Sequence, residues 1–263
     1  MMIVGEKLNS SIPSTLEALN AKDEATLVRL IRQQEQAGAD YLDINTALCA
    51  HGEEESLLWL TKLALKHSSC GIMLDSPSPR VMEKAAAVIK NRPVIFNSVT
   101  LTDHIEQLMT LAKEMGAGVV GMPIDENAIP EDVDSRTKNA LRLVEKLTAY
   151  GIIQEQIYID VLAQAISVGN TNALSALQTI GNLKTFSPRV NTICGLSNVS
   201  FGLPGRVHIN CAFLSAALYA GLDSAILDIT SPALRKTLAA AKAVMGQDDY
   251  CLEYIGVTRQ MMK

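Results

Sequence analysis

The chain has 263 residues, 48% of them hydrophobic and 19% charged, with a formal net charge of -5, enough for one substantial core and close to the roughly 250 residues a single (β/α)8 barrel uses. The mild acidity argues against a nucleic-acid partner, which favours a basic stripe, and no apolar run reaches the roughly 20 residues of a membrane span. The first residues carry no basic region ahead of their apolar stretch, so a cytoplasmic protein without a signal peptide is expected.

In chain order, short apolar runs predict strands near Ile3–Gly5, Tyr41–Asn45, Gly71–Asp75, Val94–Ser98, Gly118–Met122, Ile157–Val161, Thr192–Gly195 and Ala225–Ile229. Between and after them, helical periodicity predicts helices near Glu24–Ala37, Glu54–Lys66, Pro79–Lys90, Ile105–Met115, Asp134–Tyr150, Thr171–Asn182, His208–Ala220 and Pro232–Met245. Gly38, Gly116, Gly151 and Gly221 stand where helices should stop. Strict alternation of strand and helix implies parallel strands joined by crossovers. Eight such units at this length imply an α/β fold of the closed (β/α)8 TIM-barrel type, with an open doubly wound sheet as the rival. No linker or low-complexity tract divides the chain, so residues 1–263 are expected to form a single domain.

The odd set of five cysteines contains no CxxC pair, which fits reduced thiols better than a disulfide framework. His51, His67, His104 and His208 form no HxH or HExxH arrangement, so a tightly bound zinc has little support.

Barrel active sites sit at the C-terminal ends of the strands. There the sequence places Glu6 and Asn9, Asp43 and Asn45, Asp75, Asn97, Asp125, Asp160, Asn198 and Asp228. One such residue would be no more than a helix cap. A ring of acceptors, several directly behind apolar runs, points instead to a ligand rich in N–H donors, such as a pterin, because buried carboxylates are costly unless paired. Oxygen ligands also suit a divalent metal, but these residues come from different strands around the mouth rather than converging on one point. The run Ile193–Arg206 is the most distinctive: an apolar strand ends in Ser197-Asn198, and a loop with Gly202, Gly205 and Arg206 precedes a long apolar helix. Asn198 can offer a hydrogen bond without giving up a proton. Met122 and Phe201 are compatible with pocket lining or with ordinary packing.

Asp75, Asn97, Asp160 and Gly195-Leu196-Ser197-Asn198-Val199-Ser200 together resemble the pterin-binding methyltransferases, the methyltetrahydrofolate–corrinoid protein methyltransferases and the folate domain of cobalamin-dependent methionine synthase. Ile3–Asn9 resembles the first strand and loop of that family, and Ala39–Asn45 its second strand. The resemblance runs from Ile3 to about Gly246 and implies a dihydropteroate synthase-like barrel. It implies transfer of a methyl group between N5 of tetrahydrofolate and the cobalt of a corrinoid (cobalamin) held by a partner protein, with Asn198 as the catalytic residue. The substrate-binding residues it implies are Asp75, Asn97, Asp160, Gly195 and Ser197, with Glu6, Asn9, Asp43, Met122 and Arg206 around them. Arg206 is placed against the glutamate tail of the folate, against a partner, or in solvent. Substrates are then tetrahydrofolate and 5-methyltetrahydrofolate; no tightly bound metal is expected, the corrinoid-binding DxHxxG pattern is absent, and a homodimer is implied. Dihydropteroate synthase is the nearest alternative. Its Arg-x-His pattern at the eighth strand is replaced by Leu227-Asp228-Ile229-Thr230, and its lysine-bearing loop after the seventh by Leu203-Pro204-Gly205-Arg206. A folate-binding protein without turnover is the third reading.

Overall fold

A computed structural model describes residues 1–102, 105–125 and 129–260. His104 of the histidine survey lies outside the described residues. Eight parallel strands close in sequence order into a barrel: β1 (Met2–Asn9), β2 (Tyr41–Asn45), β3 (Gly71–Asp75), β4 (Val94–Val99), β5 (Gly118–Gly121), β6 (Ile157–Asp160), β7 (Asn191–Gly195) and β8 (Ser224–Leu227), with β1 pairing to β8. The helices are α1 (Pro13–Asn20), α2 (Glu24–Ala37), α3 (Glu53–His67), α4 (Pro79–Ala86), α5 (Glu106–Met115), α6 (Val133–Ala149), α7 (Asn172–Phe186), α8 (Arg206–Ala220), α9 (Pro232–Val244) and α10 (Leu252–Gln260).

Side chains alternate across each strand, so one set faces the lumen and the other the helices. Val4, Met73, Ile95, Val120 and Ile193 form a cluster of their own, with Met2, Tyr41, Tyr158 and Ile226 against it. Their alternates, Ile3, Leu42, Ile72, Leu74, Phe96, Val119, Ile159, Cys194 and Leu227, belong to the larger core under the helices. The first set therefore fills the lumen. Two residues further along the same strands stand Glu6, Asp43, Asp75, Asn97, Asp160, Gly195 and Asp228. Period-2 geometry thus aims the ring of acceptors into the C-terminal mouth.

Strands β2 and β3 match the predicted spans. β1 runs four residues further than predicted, to Asn9, because its register with β2 shifts between Gly5 and Leu8. That bulge lets Leu8 face the helices although Val4 faces the lumen. The fourth helix ends at Ala86 rather than Lys90: the chain tightens into i−3 bonds, Ile89 N to Ala86 O at 2.9 Å, and approaches Pro93. Helices α1 and α10 were not predicted. The helix-stopping glycines behave as expected, with positive φ at Gly38, Gly116, Gly151 and Gly221.

Candidate active site

Asp43 lies in the middle of β2 rather than at its end and is 1% exposed. Its Oδ2 accepts from Asn9 Nδ2 at 3.4 Å, and its Oδ1 is buried with no partner among the described residues. Asn45 donates from Nδ2 to Asp75 Oδ2 at 2.9 Å, while its own Oδ1 accepts from Ser10 Oγ at 2.8 Å. Register places Asp75 beside both Asn45 and Asn97. Carboxylates and amides are thus interleaved across β1 to β4, which limits like-charge repulsion.

Electrostatics marks the same residues. Burial, reinforced by the Asp75 carboxylate, pushes Asp43 well above the usual carboxylate range. Burial likewise pushes Asp75 up to about 6, opposed by the Asn45 bond and aided by Glu53. Asp160 is also raised to about 6 by burial, against the bond from the Leu162 amide and with a further push from Asp75. Burial raises Glu6, with the Ser197 bond opposing. Helix capping does not account for Asp75 or Asp160. Carboxylates that do cap helices include Asp23, which accepts from Thr26 N, Asp132, which accepts from Ser135 N, and Asp248, which accepts from Glu253 N and Tyr254 N. Asp160 instead accepts from Leu162 N at 2.8 Å in the loop after β6.

Beyond β7 the chain makes a 3₁₀ turn, Leu196–Ser200. Asn198 is exposed on it, and its carboxamide makes no hydrogen bond to another described residue. A Cβ on Gly195 would stand 3.0 Å from Asn198 Nδ2, so glycine at the lumen position of β7 is what leaves room for that amide. The Ser197 hydroxyl donates into the Glu6 carboxylate, 2.9 and 3.1 Å from its two oxygens. Lys7 pairs with Asp228 at 2.7 Å, closing the ring between β1 and β8. Met122 follows β5 half-buried, its N–H on Val99 O at 2.8 Å. Phe201 is 68% exposed and forms rim rather than lining. Arg206 opens α8, its guanidinium bonded to Ser200 Oγ and Ser197 O.

The structure therefore brings together Glu6, Asn9, Asp43, Asp75, Asn97, Asp160, Gly195, Ser197 and Asn198 around one opening. Sequence reasoning missed two contributors. Lys7 reaches Asp228 only because β1 meets β8. Arg136, on α6, is 1% exposed and donates to Pro130 O, Leu162 O and Gln164 Oε1, so it fixes the loop behind Asp160. In that loop Leu162 takes φ 55, a left-handed conformation unusual for leucine. An arginine in an amphipathic helix carries no sequence signal for such burial.

Among the described residues no group of three or more His, Cys, Asp or Glu is placed to hold a metal ion. A separate cavity of about 490 Å³ opens at the opposite, N-terminal end of the barrel, against Met2, Tyr158, Asn191 and Ser224. Its carboxylate, Asp223, is already engaged by Lys184 and by Thr192. The unspent acceptors are at the other end.

Comparison with known proteins follows this geometry. The family described as "Pterin binding enzyme" matches residues 5–228. The methylcorrinoid:tetrahydrofolate methyltransferase of Eubacterium limosum is 31% identical over 263 residues, covering 99% of this chain and 97% of that protein. The methionine synthase of Mycobacterium leprae is 31% identical over 241 residues, which is 86% of this chain and 20% of that longer protein. The structure of dihydropteroate synthase from Xanthomonas albilineans in complex with 7,8-dihydropteroate superposes with a TM-score of 0.69 at 17% identity, covering 93% of each chain. At that identity the likeness extends to the barrel alone.

Proposed function

Within the pterin-binding enzyme family, to which this chain belongs, we propose that the barrel mouth holds tetrahydrofolate by its pterin edge and moves a methyl group between N5 of that folate and the cobalt of a corrinoid carried by another protein. One observation carries the reading. Among the described residues a ring of buried acceptors, including Asp43 Oδ1, which has no partner there, lies beside a carboxamide, Asn198, that none of them engages, above a glycine that leaves it space. The acceptors suit the amino group and ring N–H of a pterin. The amide suits a nitrogen whose protonation state changes during reaction.

The corrinoid supplies a cobalt that takes the methyl group as Co(I) and gives it back in the reverse direction. The carbon–nitrogen bond breaks with its electron pair going to N5. A proton placed on N5 beforehand makes it a competent leaving group and remains as the N5–H of tetrahydrofolate. Asn198 Oδ1 accepts from that N5–H and cannot itself be deprotonated, so it stabilises the charged nitrogen without competing for the proton. Asp75, Asp160 and Asn97 take the pterin N–H donors. Asn9 holds the Asp43 carboxyl and Asn45 holds that of Asp75. Glu6 holds the Ser197 hydroxyl, Gly195 gives the ring its approach, and Met122 offers an apolar edge. Positioning and preorganised hydrogen bonds are the forms of catalysis such a site supplies. A tightly bound metal has no place in this chemistry.

The protein is further proposed to act as one barrel domain, as a homodimer in the cytoplasm, with neither nucleic acid nor membrane as partner. Its five cysteines are all free, and no described helix is long and apolar enough to cross a membrane.

The test is folate titration alongside two turnover assays. The protein should bind tetrahydrofolate, transfer methyl groups to Co(I) corrinoid, and fail to condense a pterin pyrophosphate with p-aminobenzoate. Condensation without methyl transfer would make it a dihydropteroate synthase, and binding without either activity a folate-binding protein.

A further inference from the structure

The turn that carries Asn198 is tied down on three sides. Towards β1, Ser197 Oγ donates to Glu6. Towards the loop after β6, Ile166 N donates to Val199 O at 3.0 Å and Ser167 Oγ to Phe201 O at 2.9 Å. Towards α8, Arg206 spans the turn: Nη2 donates to Ser197 O at 2.7 Å and Nε to Ser200 Oγ at 3.0 Å, while Ser200 Oγ donates to Ser197 O at 3.2 Å. The residues before and after Asn198 are therefore fixed, while no other described residue engages its own side chain.

Arg206 is the first residue of α8. A cation at a helix N-terminus lies against the helix dipole, so position alone does not favour it there. What favours it is the pair of acceptors on the turn, matched by a planar fork of donors that lysine does not possess. The guanidinium, viewed from sequence as a candidate for the folate tail, has two of its three nitrogens already committed.

We propose that Arg206 is a positioning residue: it sets the backbone of the Leu196–Ser200 turn and so the angle at which the Asn198 carboxamide meets N5. This rests on the methyl-transfer reading above. The exposed site makes Arg206→Lys and Arg206→Met tolerable to the fold. Each variant of the full chain is assayed with 5-methyltetrahydrofolate and with 5-methyl-6-methyltetrahydropterin, which lacks the aminobenzoyl-glutamate tail. Positioning predicts that kcat falls about 10-fold or more in Arg206→Met with both donors, with lysine recovering only part, while KM for the folate moves less than about threefold. A rise in KM confined to the tailed donor, or unchanged kinetics, overturns the proposal. Amide hydrogen exchange gives a second readout that needs no turnover. Residues 196–201 should exchange faster in Arg206→Met with protection elsewhere retained; equal protection in that turn also overturns it. Wild-type protein inactive with both donors would instead defeat the methyl-transfer reading, and the exchange measurement would still decide the role of Arg206.

Discussion

Asn198 and the buried carboxylates divide the work between rate and affinity, and single substitutions should separate the two. Asn198→Ala removes a bond that strengthens as N5 becomes charged, so kcat should fall about 100-fold or more while folate affinity changes less; steady-state kinetics with a parallel titration checks this. Poor binding with a native rate at saturation would make Asn198 a binding residue only. Asp75→Ala and Asp160→Ala should each weaken folate binding by about 2 kcal/mol or more, the scale of a charge-assisted hydrogen bond. Calorimetry on folded variants reads it directly. The raised carboxyls also set a pH dependence. Burial holds Asp75 and Asp160 at about 6, so the folded state without ligand binds protons more tightly than the unfolded chain. The stability they contribute is full only below the unfolded value of 3.8 and is lost progressively as pH rises from there through about 6. Folate needs the ionised acceptors and should respond with the opposite sign, binding about 10-fold more weakly at pH 5.5 than at pH 7.5. Asp160→Asn should stabilise the unliganded protein at pH 7.5, by about 1 to 2 kcal/mol, while weakening folate binding. Melting curves and titrations at the two pH values would expose any failure of this opposition.

At the scale of elements, the bulge in β1 matters most to the site. Gly5 lies against Gln34, where a Cβ would come within 2.3 Å of Oε1, and that same oxygen accepts from Lys7 N at 2.9 Å. Gln34 is thus packed onto the bulge and takes up an amide freed by the register shift. Gly5→Ala should cost about 1 to 3 kcal/mol, as overpacking does in a tight interior, and should loosen Glu6 and Lys7 together; chemical denaturation measures the first effect. This element also shows where legibility stops. β2 and β3 are readable from their apolar runs because they pair without a register shift. β1 was truncated because a bulge breaks the period, and Leu8 then looks like loop. α1 is short and opens at Pro13 without a side-chain cap, and α10 lies beyond the eighth repeat, where barrel periodicity offers no guide. Within the site, Asp75, Asn97, Asp160 and Asn198 stood out because each follows an apolar run. The Lys7–Asp228 and Asn45–Asp75 pairs were not legible, since they depend on register between strands. Burial of Arg136 depends on how two loops fold over α6.

For the molecule as a whole, closure of eight strands in sequence order is what gathers acceptors from Glu6 to Asp228 around one opening. The arrangement needs its mouth accessible, since the cobalt arrives on another protein and must approach N5 directly. Leu48, Val168 and Phe201 are exposed on loops at this end. The purified protein should therefore be colourless and inactive alone, and its activity should depend on an added corrinoid rather than on metal. Loss of turnover on chelation that returns with a stoichiometric metal would contradict this. The most direct measurement of the central claim is the absorbance change on mixing the protein with 5-methyltetrahydrofolate and Co(I) corrinoid. The account predicts conversion of the Co(I) spectrum to that of methylcobalt at a rate set by enzyme concentration, the reverse with methylcobalamin and tetrahydrofolate, and about 100-fold slower conversion with Asn198→Ala. A Co(I) spectrum that persists beside folded, folate-saturated wild-type protein would contradict it.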